Sequence, residues 1–288
     1  MERRTYRQED YEAVCDFLIA LNETDRAHIN WNWARFEWMV EHPDCDRSLL
    51  GTIGLWTEGG RIVGAAIYDM WFGEAFTGVL PGYEALYPEV LTYAYDVLKD
   101  DAGLKIGLPD ERAWEIAAAV RAGFSEDTQT ETIQRLALDR PQPYAMPDGL
   151  HFVSLDPIKD ADALGFLFWQ GFDHGEDRVE YERQRPEETP RMRRHFQPQL
   201  SVAAAYEDGE PVACCCVWVH PKTAYAYVEP VCTIPSYRGV GAGRAVVLEA
   251  LNRARSFGAK EAYVISDQVF YQKLGFAFDR HYTFYRKA

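Results

Sequence analysis

A repeat of the first half of this sequence in its second half restricts the possible folds more than any other feature. The segment GRIVGAAIYDM, which starts at Gly60, matches GEPVACCCVWV, which starts at Gly209, and both are typical of a tight turn followed by an apolar strand. In the same order, LPGYE matches IPSYR at residues 234–238, and AVRAGF matches YQKLGF, which ends at Phe276. Each pair is separated by about 150 residues, so the sequence predicts two copies of one fold.

A proline-rich segment, DRPQPYAMPDGL, separates the two halves. Prolines at this density interrupt both helices and strands, so we interpret the segment as a linker. We predict a first domain at residues 1–139, a linker at residues 140–150 and a second domain at residues 151–288. A length of 288 residues suits two domains.

The second half has the pattern of strands flanked by helices. We predict helices over residues 160–172, 178–196, 241–257 and 269–274, and strands over residues 201–206, 212–219, 223–234 and 261–266. Pro186 and Pro190 interrupt the second helix, and the turn EDGE joins the first two strands. Apolar and polar residues alternate along the tail, residues 276–286, and this pattern predicts one or two closing strands. Mostly antiparallel strands with one strand–helix–strand crossover predict a mixed α/β fold.

The net charge of −15 is concentrated in the first half. Residues 1–150 hold 27 acidic and 13 basic side chains, whereas residues 151–288 hold 18 and 17. An acidic protein attracts neither nucleic acid nor an anionic membrane surface, so we expect neither as a partner. An anionic cofactor is expected to bind the second half.

Several features favour a location in the cytoplasm. No run approaches the ~18 consecutive apolar residues of a membrane helix, and charged residues stand near the N-terminus where an export signal needs an apolar stretch. None of the six cysteines forms a C-x-x-C pair, and Cys214, Cys215 and Cys216 are adjacent in an apolar strand. Neighbouring residues on a strand point to opposite faces, so buried free thiols are favoured over a disulfide framework or a zinc site.

A glycine-rich segment joins an apolar strand to an amphipathic helix in the second half. It consists of Arg238, Gly239, Val240, Gly241, Ala242, Gly243 and Arg244. The first N–H groups of a helix have no intrahelical partners and carry the positive end of the helix dipole. Glycines let a phosphate approach the backbone, and the two arginines add positive charge. The segment therefore predicts an anion cradle; a glycine-rich turn that only starts a helix is the alternative.

The spacing of this segment resembles that of the GNAT superfamily of acyl-CoA-dependent N-acyltransferases. The pattern R-x-x-G-x-G follows a strand, and F-Y-Q-K-L-G-F follows it about 30 residues later. The resemblance is strong over residues 201–276 and implies two tandem GNAT-like domains, each a mostly antiparallel sheet flanked by helices. A dinucleotide-binding fold would place its glycines after the first strand of a βαβ unit, and a Walker A motif would continue with Lys-Ser/Thr.

The resemblance implies acetyl-CoA as co-substrate of the second domain and implies no metal. Backbone N–H groups of residues 238–244 would hold the pyrophosphate of CoA. Cys232 and Thr233, at the end of the preceding strand, would offer backbone groups to the pantetheine arm and the acyl carbonyl. Tyr271 stands where the family often places a tyrosine close to the CoA sulfur.

The implied reaction, direct attack of a neutral amine on the thioester, needs few side chains. A strand N–H can stabilise the oxyanion, and Tyr271 can donate to the departing thiolate. Glu229 is the candidate base, and we expect Tyr227 and Val231 to share its face of the strand. A packed aromatic is the alternative for Tyr271, and a salt bridge or an edge carboxylate is the alternative for Glu229. Pro230 predicts a bulge here, where the family typically separates its paired strands.

Candidate substrate-binding residues are Tyr227 together with Asp173 and His174 of the loop GFDHGEDR. With Glu176 and Asp177, this loop would form an acidic mouth suited to a cationic amine. A solvated turn is the alternative for each of these residues. The other histidines show no spacing typical of a metal site.

The first copy keeps the sequence pattern that precedes the cradle, but it lacks the residues that would bind an anion. Glu84, Tyr87 and Glu89 stand where the second copy has its first arginine and its last two glycines. The glutamates would repel a diphosphate, and the tyrosine would block its approach. We therefore predict that the first domain does not bind CoA.

These features together predict an N-acetyltransferase that moves an acetyl group from acetyl-CoA to a primary amine of a small, cationic or polar molecule. One alternative is a non-catalytic acyl-CoA sensor or binding protein. Another is an acyltransferase that uses a longer acyl donor or a charged tRNA, although the acidic surface disfavours tRNA.

Overall fold

The computed structural model describes residues 1–42, 44–153, 160–185, 194–206 and 209–288. These residues belong to two compact units. Unit 1 comprises residues 1–133, 265–267 and 278–288, and unit 2 comprises residues 134–264 and 268–277.

The helices and strands follow one order twice along the chain. The first set is β1 (Glu2–Thr5), α1 (Tyr11–Leu21), α2 (Trp33–Glu41), β2 (Gly54–Glu58), β3 (Arg61–Asp69), β4 (Trp71–Val79), α3 (Tyr87–Leu98), β5 (Leu104–Pro109), α4 (Ala113–Arg121) and β6 (Ser125–Ala137). The second set is β7 (Leu150–Val153), α5 (Ala161–Gly171), α6 (Arg178–Gln184), β8 (Val202–Tyr206), β9 (Pro211–Val219), β10 (Tyr225–Thr233), α7 (Ala242–Phe257), β11 (Glu261–Ile265), α8 (Val269–Leu274) and β12 (Ala277–Lys287). The repeat found in the sequence is therefore a repeat of structure.

In unit 1 the strands β1, β2, β3 and β4 pair antiparallel in that order, and β4 pairs parallel with β5 over two residues of each strand. The last strand, β12, pairs antiparallel with β5, from Tyr282 opposite Pro109 to Lys287 opposite Leu104. The strand predicted from the tail is confirmed as β12, but nearly all of it lies in unit 1 and not with the rest of the second half. The alternation of apolar and polar residues along the tail indicates a strand, but it does not indicate which strand pairs with it.

In unit 2 the strands β7, β8, β9 and β10 pair antiparallel in that order, and β10 pairs parallel with β11. The face that carries Val217 and Val228 packs against the apolar side of α7. The opposite face carries Cys214 and Cys232 and packs against Leu167 of α5. All six cysteines are free and buried, as the apolar context of the thiols predicted.

The mixed α/β fold is confirmed, and α5, α7, α8 and the strands β8 to β11 begin and end within two residues of their predicted bounds. Only the first part of the helix predicted over residues 178–196 is present, as α6, which ends at Gln184, and residues 194–196 are not helical. Residues 186–193 lie outside the described residues, as do residues 207 and 208 of the turn EDGE. The domain ranges 1–139 and 151–288 remain a prediction. No helix in the described part of the chain has the length and apolar character needed to cross a membrane.

Candidate functional site

The pairing between β10 and β11 ends partway along both strands. Residues 225–227 of β10 pair with residues 261–263 of β11, whereas β10 continues to Thr233 and β11 to Ile265. Beyond Tyr227, one edge of β10 is therefore not covered by β11. We call this opening the fork; it is the strand separation that the family resemblance implied.

A β-bulge lies where the fork opens. Val228 and Val231 pair with β9 residues that are two positions apart, although they are three positions apart themselves. Glu229 and Pro230 therefore share one position of the ladder, as expected for a proline, which has no N–H to donate. The extra residue reverses the alternation, so Val231 packs on the α7 side with Val228. The prediction that Val231 shares the face of Tyr227 and Glu229 is therefore wrong.

Two hydrogen bonds hold Glu229 at both its side chain and its main chain. The hydroxyl of Tyr227 donates to Oε2 of Glu229. Nε1 of Trp218, on β9, donates to the main-chain oxygen of Glu229 at 2.7 Å. Tyr227 and Trp218 are directly opposite each other in the ladder, and both are buried. The sequence analysis named Tyr227 as a candidate site residue. It assigned Trp218 to an apolar strand and predicted no role for it in the site.

Tyr271 projects from α8 into the core on the α7 side of unit 2. Its ring contacts Phe270 and Phe276, with centroid separations of 5.1 and 5.6 Å. Burial raises the pKa of the Tyr271 phenol well above its usual value, and the negative charge of Glu229 adds to the effect. Within the described residues, no hydrogen bond is made to the Tyr271 hydroxyl. The phenol therefore keeps its proton at neutral pH.

The glycine-rich segment forms a turn with a left-handed backbone. Gly239 has φ of 82° and Gly241 has φ of 103°. L-residues with a side chain rarely adopt such angles, so the turn requires glycine at both positions. A Cβ on Gly239 would meet no atom within 4 Å, whereas a Cβ on Gly241 would lie 3.3 Å from Cγ of Pro147. The side of Gly239 where a side chain would stand is therefore open.

Helix α7 starts directly after this turn and has 16 residues. Its first intrahelical bond runs from the N–H of Ala245 to the oxygen of Gly241 at 3.0 Å, so the N–H groups before Ala245 have no partner inside the helix. A Cβ on Gly243 would lie 2.7 Å from Oγ1 of Thr233, so this glycine lets α7 pack closely against the end of β10. Arg244 donates to the main-chain oxygen of Lys273 at 3.0 Å and ties α7 to the end of α8.

The guanidinium of Arg238 joins three parts of the site. It donates to the main-chain oxygens of Thr233, at 3.0 Å, and Gly171, at 2.8 Å. It also forms an ion pair with Asp173 at 3.0 Å. Arg238 therefore connects the end of β10 and the end of α5 to the cradle. The sequence motif did not predict this role.

Cys232 and Thr233 form the last part of β10, next to the cradle. The side chain of Cys232 is buried toward α5: its Sγ lies 3.6 Å from Sγ of Cys214 and 3.7 Å from the main-chain oxygen of Leu167. A Cβ on Gly171 would lie 2.7 Å from this sulfur, so the thiol is closely packed. The cysteine side chain is therefore structural, and the backbone of both residues pairs with β9 on the side away from the fork.

The loop after α5 carries the two remaining predicted site residues. Asp173 has φ of 64° and is ion-paired with Arg238, so it stands beside the cradle. His174 is exposed, and its ring lies 5.1 Å from that of Trp169. Within the described residues, no group of three or more His, Cys, Asp or Glu side chains is placed to hold a metal ion.

The residues of unit 1 that align in sequence with the cradle make contacts of their own. Tyr87 is fully buried, shares a hydrogen bond of 3.0 Å with Thr77 and packs edge-to-face against Trp114 at 5.3 Å. Glu84 accepts from the N–H of Gly82 at 2.9 Å, and this bond lowers the pKa of the Glu84 carboxyl. A carboxylate and a buried tyrosine thus stand at the sequence positions that correspond to Arg238 and Gly241 of the cradle.

Removing the hydroxyl of Tyr87 should therefore destabilise unit 1. We expect Tyr87→Phe to lower the free energy of unfolding by about 1–3 kcal/mol, because the buried Thr77 hydroxyl loses its partner. Tyr83→Phe is the matched control, since the Tyr83 hydroxyl donates to Glu58 at the protein surface. Urea denaturation measures both variants, and equal stability of the two would contradict this role of Tyr87.

A family comparison covers the part of the chain that contains these features. Residues 167–276 match the model of the Acetyltransferase (GNAT) family. This range includes the fork, the cradle, Glu229 and Tyr271. No curated protein matches the sequence significantly.

Solved structures share the fold over the whole chain. A GCN5-related N-acetyltransferase from Sphaerobacter thermophilus is 16% identical, with a TM-score of 0.61, and the match covers 99% of this chain and 95% of that chain. A tandem GNAT protein from the clavulanic acid biosynthesis pathway is 18% identical, with a TM-score of 0.62 and coverage of 99% and 98%. An acetyltransferase of the GNAT family from Colwellia psychrerythraea is 13% identical, with a TM-score of 0.57 and complete coverage of both chains. At these identities the similarity establishes a tandem GNAT fold.

Proposed function

We propose that this protein transfers an acetyl group from acetyl-CoA to a primary amine of a small, cationic or polar molecule. The match of residues 167–276 to the model of the Acetyltransferase (GNAT) family supports the proposal. The observation that carries the proposal is the combination of an open glycine cradle with a fork that opens at the bulge carrying Glu229.

The residues of the cradle fit a diphosphate. Gly239 has a left-handed backbone and open space where a side chain would be, and the N–H groups of Ala242 and Gly243 precede the first bond inside α7. Such N–H groups and the positive end of a helix dipole are suited to an anion. Bound acetyl-CoA would supply the reactive acetyl thioester at the fork.

The side chains around the fork have complementary roles in the proposed reaction. Glu229 accepts the proton of the ammonium group, directly or through water, so that a neutral amine becomes available. The uncovered edge of β10 at Cys232 and Thr233 offers main-chain groups to the pantetheine arm and the acyl oxygen. Tyr271, whose raised pKa keeps its phenol protonated at neutral pH, donates a hydrogen bond to the departing sulfur.

The acceptor is proposed to enter beside the loop after α5. Asp173 is paired with Arg238, and Asp177 caps α6 by accepting from the N–H of Val179, so these carboxylates are committed within the protein. The proposal assigns acceptor contacts to His174 and to Tyr227. It also places the activity in the reducing environment of the cytoplasm, which suits a chain whose six cysteines are free.

The residue types of unit 1 lead to a prediction about stoichiometry. We expect titration calorimetry with acetyl-CoA to give one binding site per chain, because Glu84 and Tyr87 stand at the sequence positions that correspond to Arg238 and Gly241 of the cradle. Two sites per chain, or a site that is lost when Glu84 is changed, would contradict the assignment of the cofactor to unit 2.

The function itself is tested by turnover with a panel of amines. We expect release of free CoA thiol and, by mass spectrometry, an acetylated product from at least one cationic or polar primary amine. Tight binding of acetyl-CoA without release of CoA in the presence of any amine would favour the sensor alternative. Faster turnover with a longer acyl-CoA would favour the alternative acyl donor.

A further inference from the structure

We infer that Trp218 is a positioning residue for the transfer reaction, because its indole N–H fixes the bulge of β10 that carries Glu229. The inference rests on the proposed function of Glu229 as the base. It concerns a residue on a neighbouring strand that makes no contact with the reacting atoms and acts through the main chain of Glu229.

The bulge creates a structural requirement that Trp218 meets. An extra residue interrupts the ladder, so a main-chain carbonyl in the bulge lacks its regular partner on the next strand. The carbonyl of Glu229 instead accepts from Nε1 of Trp218 at 2.7 Å. A buried indole likewise needs an acceptor for its single donor. The two groups therefore satisfy each other, and the position of the bulge is tied to the position of the indole.

The indole is held on a rigid part of unit 2. Trp218 lies on β9, which pairs with β8 on one side and with β10 on the other. Its side chain is 0% exposed, and its ring packs against Phe196 with a centroid separation of 4.8 Å. The donor is thus fixed by the sheet, whereas the acceptor belongs to an irregular segment of β10. The rigid group therefore determines where the irregular one lies.

The carboxylate of Glu229 depends on the same geometry. Tyr227 precedes the bulge and donates its hydroxyl hydrogen to the Glu229 carboxylate. Tyr227 is paired directly with Trp218, so these two hydrogen-bond donors to Glu229 come from one cross-strand pair. A shift of the bulge would change the separation between the Tyr227 hydroxyl and the carboxylate, and with it the direction in which Glu229 points into the fork.

The substitution Trp218→Phe tests this inference, because it keeps an aromatic ring and removes the indole N–H. We expect kcat to fall by about 10- to 100-fold, the size of effect that a displaced catalytic group produces, while the Kd for acetyl-CoA changes by less than about twofold. The affinity for acetyl-CoA should not change, because the cradle lies beyond the end of β10. The assay is release of CoA thiol, with binding measured separately by calorimetry.

Trp56→Phe is the matched control. Trp56 is also a buried tryptophan on a strand, and its Nε1 donates to Oε1 of Glu89 at 2.9 Å in unit 1. Both substitutions remove one indole hydrogen bond, so both should lower the urea midpoint. Only Trp218→Phe should lower kcat. Equal kinetic constants in the two variants would overturn the positioning role and leave Trp218 with a purely structural one.

Two further measurements keep the inference testable. If Trp218→Phe does not fold, 3-benzothienylalanine at position 218 replaces the N–H by sulfur at nearly the same volume, and the same fall in kcat is expected. If the wild-type protein acetylates no amine, the proposed function fails, but the carboxyl ¹³C NMR signal of Glu229 still reports on Trp218. That signal should move in the Trp218 variant and not in Trp56→Phe, and an unmoved signal would overturn the inference.

Discussion

Tyr271→Phe is expected to lower kcat by about 10²–10⁴-fold, the usual contribution of general acid catalysis, with little change in the affinity for acetyl-CoA. The substitution removes one hydroxyl and almost no volume from a side chain that packs between Phe270 and Phe276. In the proposed function the cradle holds the diphosphate, and the phenol does not contact it. A fall in kcat at constant cofactor affinity identifies an interaction made mainly in the transition state.

Tyr144→Phe is the control for this experiment, since it removes another phenol hydroxyl of unit 2, one that donates to Glu249 at 2.7 Å. Steady-state release of CoA thiol is measured for both variants with any amine that turns over. Wild-type rates in Tyr271→Phe would remove this residue from the mechanism. Glu229 and a bound water would then be the remaining proton carriers at the fork.

The pH dependence of kcat follows from the same burial. Burial raises the pKa of Tyr271 in the folded protein, so the phenol keeps its proton at pH values where an exposed tyrosine has already lost it. We therefore expect no loss of kcat from this group until the pH exceeds about 10, the usual pKa of tyrosine. If kcat of the wild type already falls with rising pH near neutrality, and the same fall occurs in Tyr271→Phe, then a group other than Tyr271 causes it.

Gly239→Asp is expected to weaken acetyl-CoA binding by about 100- to 1000-fold, because a carboxylate about 4 Å from a phosphate costs ~4 kcal/mol at an effective dielectric constant of 20. The position is suited to this test, since a side chain at Gly239 meets no protein atom within 4 Å. The fold should persist, and the charge should act on the ligand alone. Calorimetry at two salt concentrations measures the effect, which should shrink as the salt concentration rises.

Gly258→Asp carries the same charge and comparable backbone strain at the other end of α7. Gly258 also has a left-handed backbone, with φ of 118°, and no atom lies within 4 Å of its Cβ position. Any loss of affinity that comes from strain or from net charge should appear in both variants. A similar affinity in the two variants would mean that the cofactor does not bind at the cradle.

Much of the site could be predicted because it is encoded by local sequence. The left-handed turn at Gly239 and Gly241 follows from residue type, and the start of α7 follows from the change from strand to helix periodicity. Pro230 marked the bulge because proline cannot donate to a ladder. The face of Val231 was not predicted correctly, because alternation was counted through a bulge that adds one residue.

The contacts that could not be predicted involve main-chain acceptors or distant partners. Trp218 donates to a carbonyl, and every residue has a carbonyl, so no side-chain pattern indicates this bond. Arg238 matched the motif for an anion site, yet its side chain donates to the oxygens of Thr233 and Gly171, which only the fold brings together. The pairing of β12 with β5 is likewise a choice among strand edges that the alternation of β12 does not distinguish.

The place of β12 has a consequence for biosynthesis. Unit 1 includes residues 278–288, so its sheet lacks a strand until that segment has been translated. Those residues follow residue 133 by about 145 positions, and at ~5–20 residues per second the delay is roughly 7–30 s. During this interval β5 has an uncovered edge on the ribosome-bound chain, a known risk for strand pairing between nascent chains. A cut between the two halves would leave the same edge uncovered, because unit 1 takes its last strand from the end of the chain.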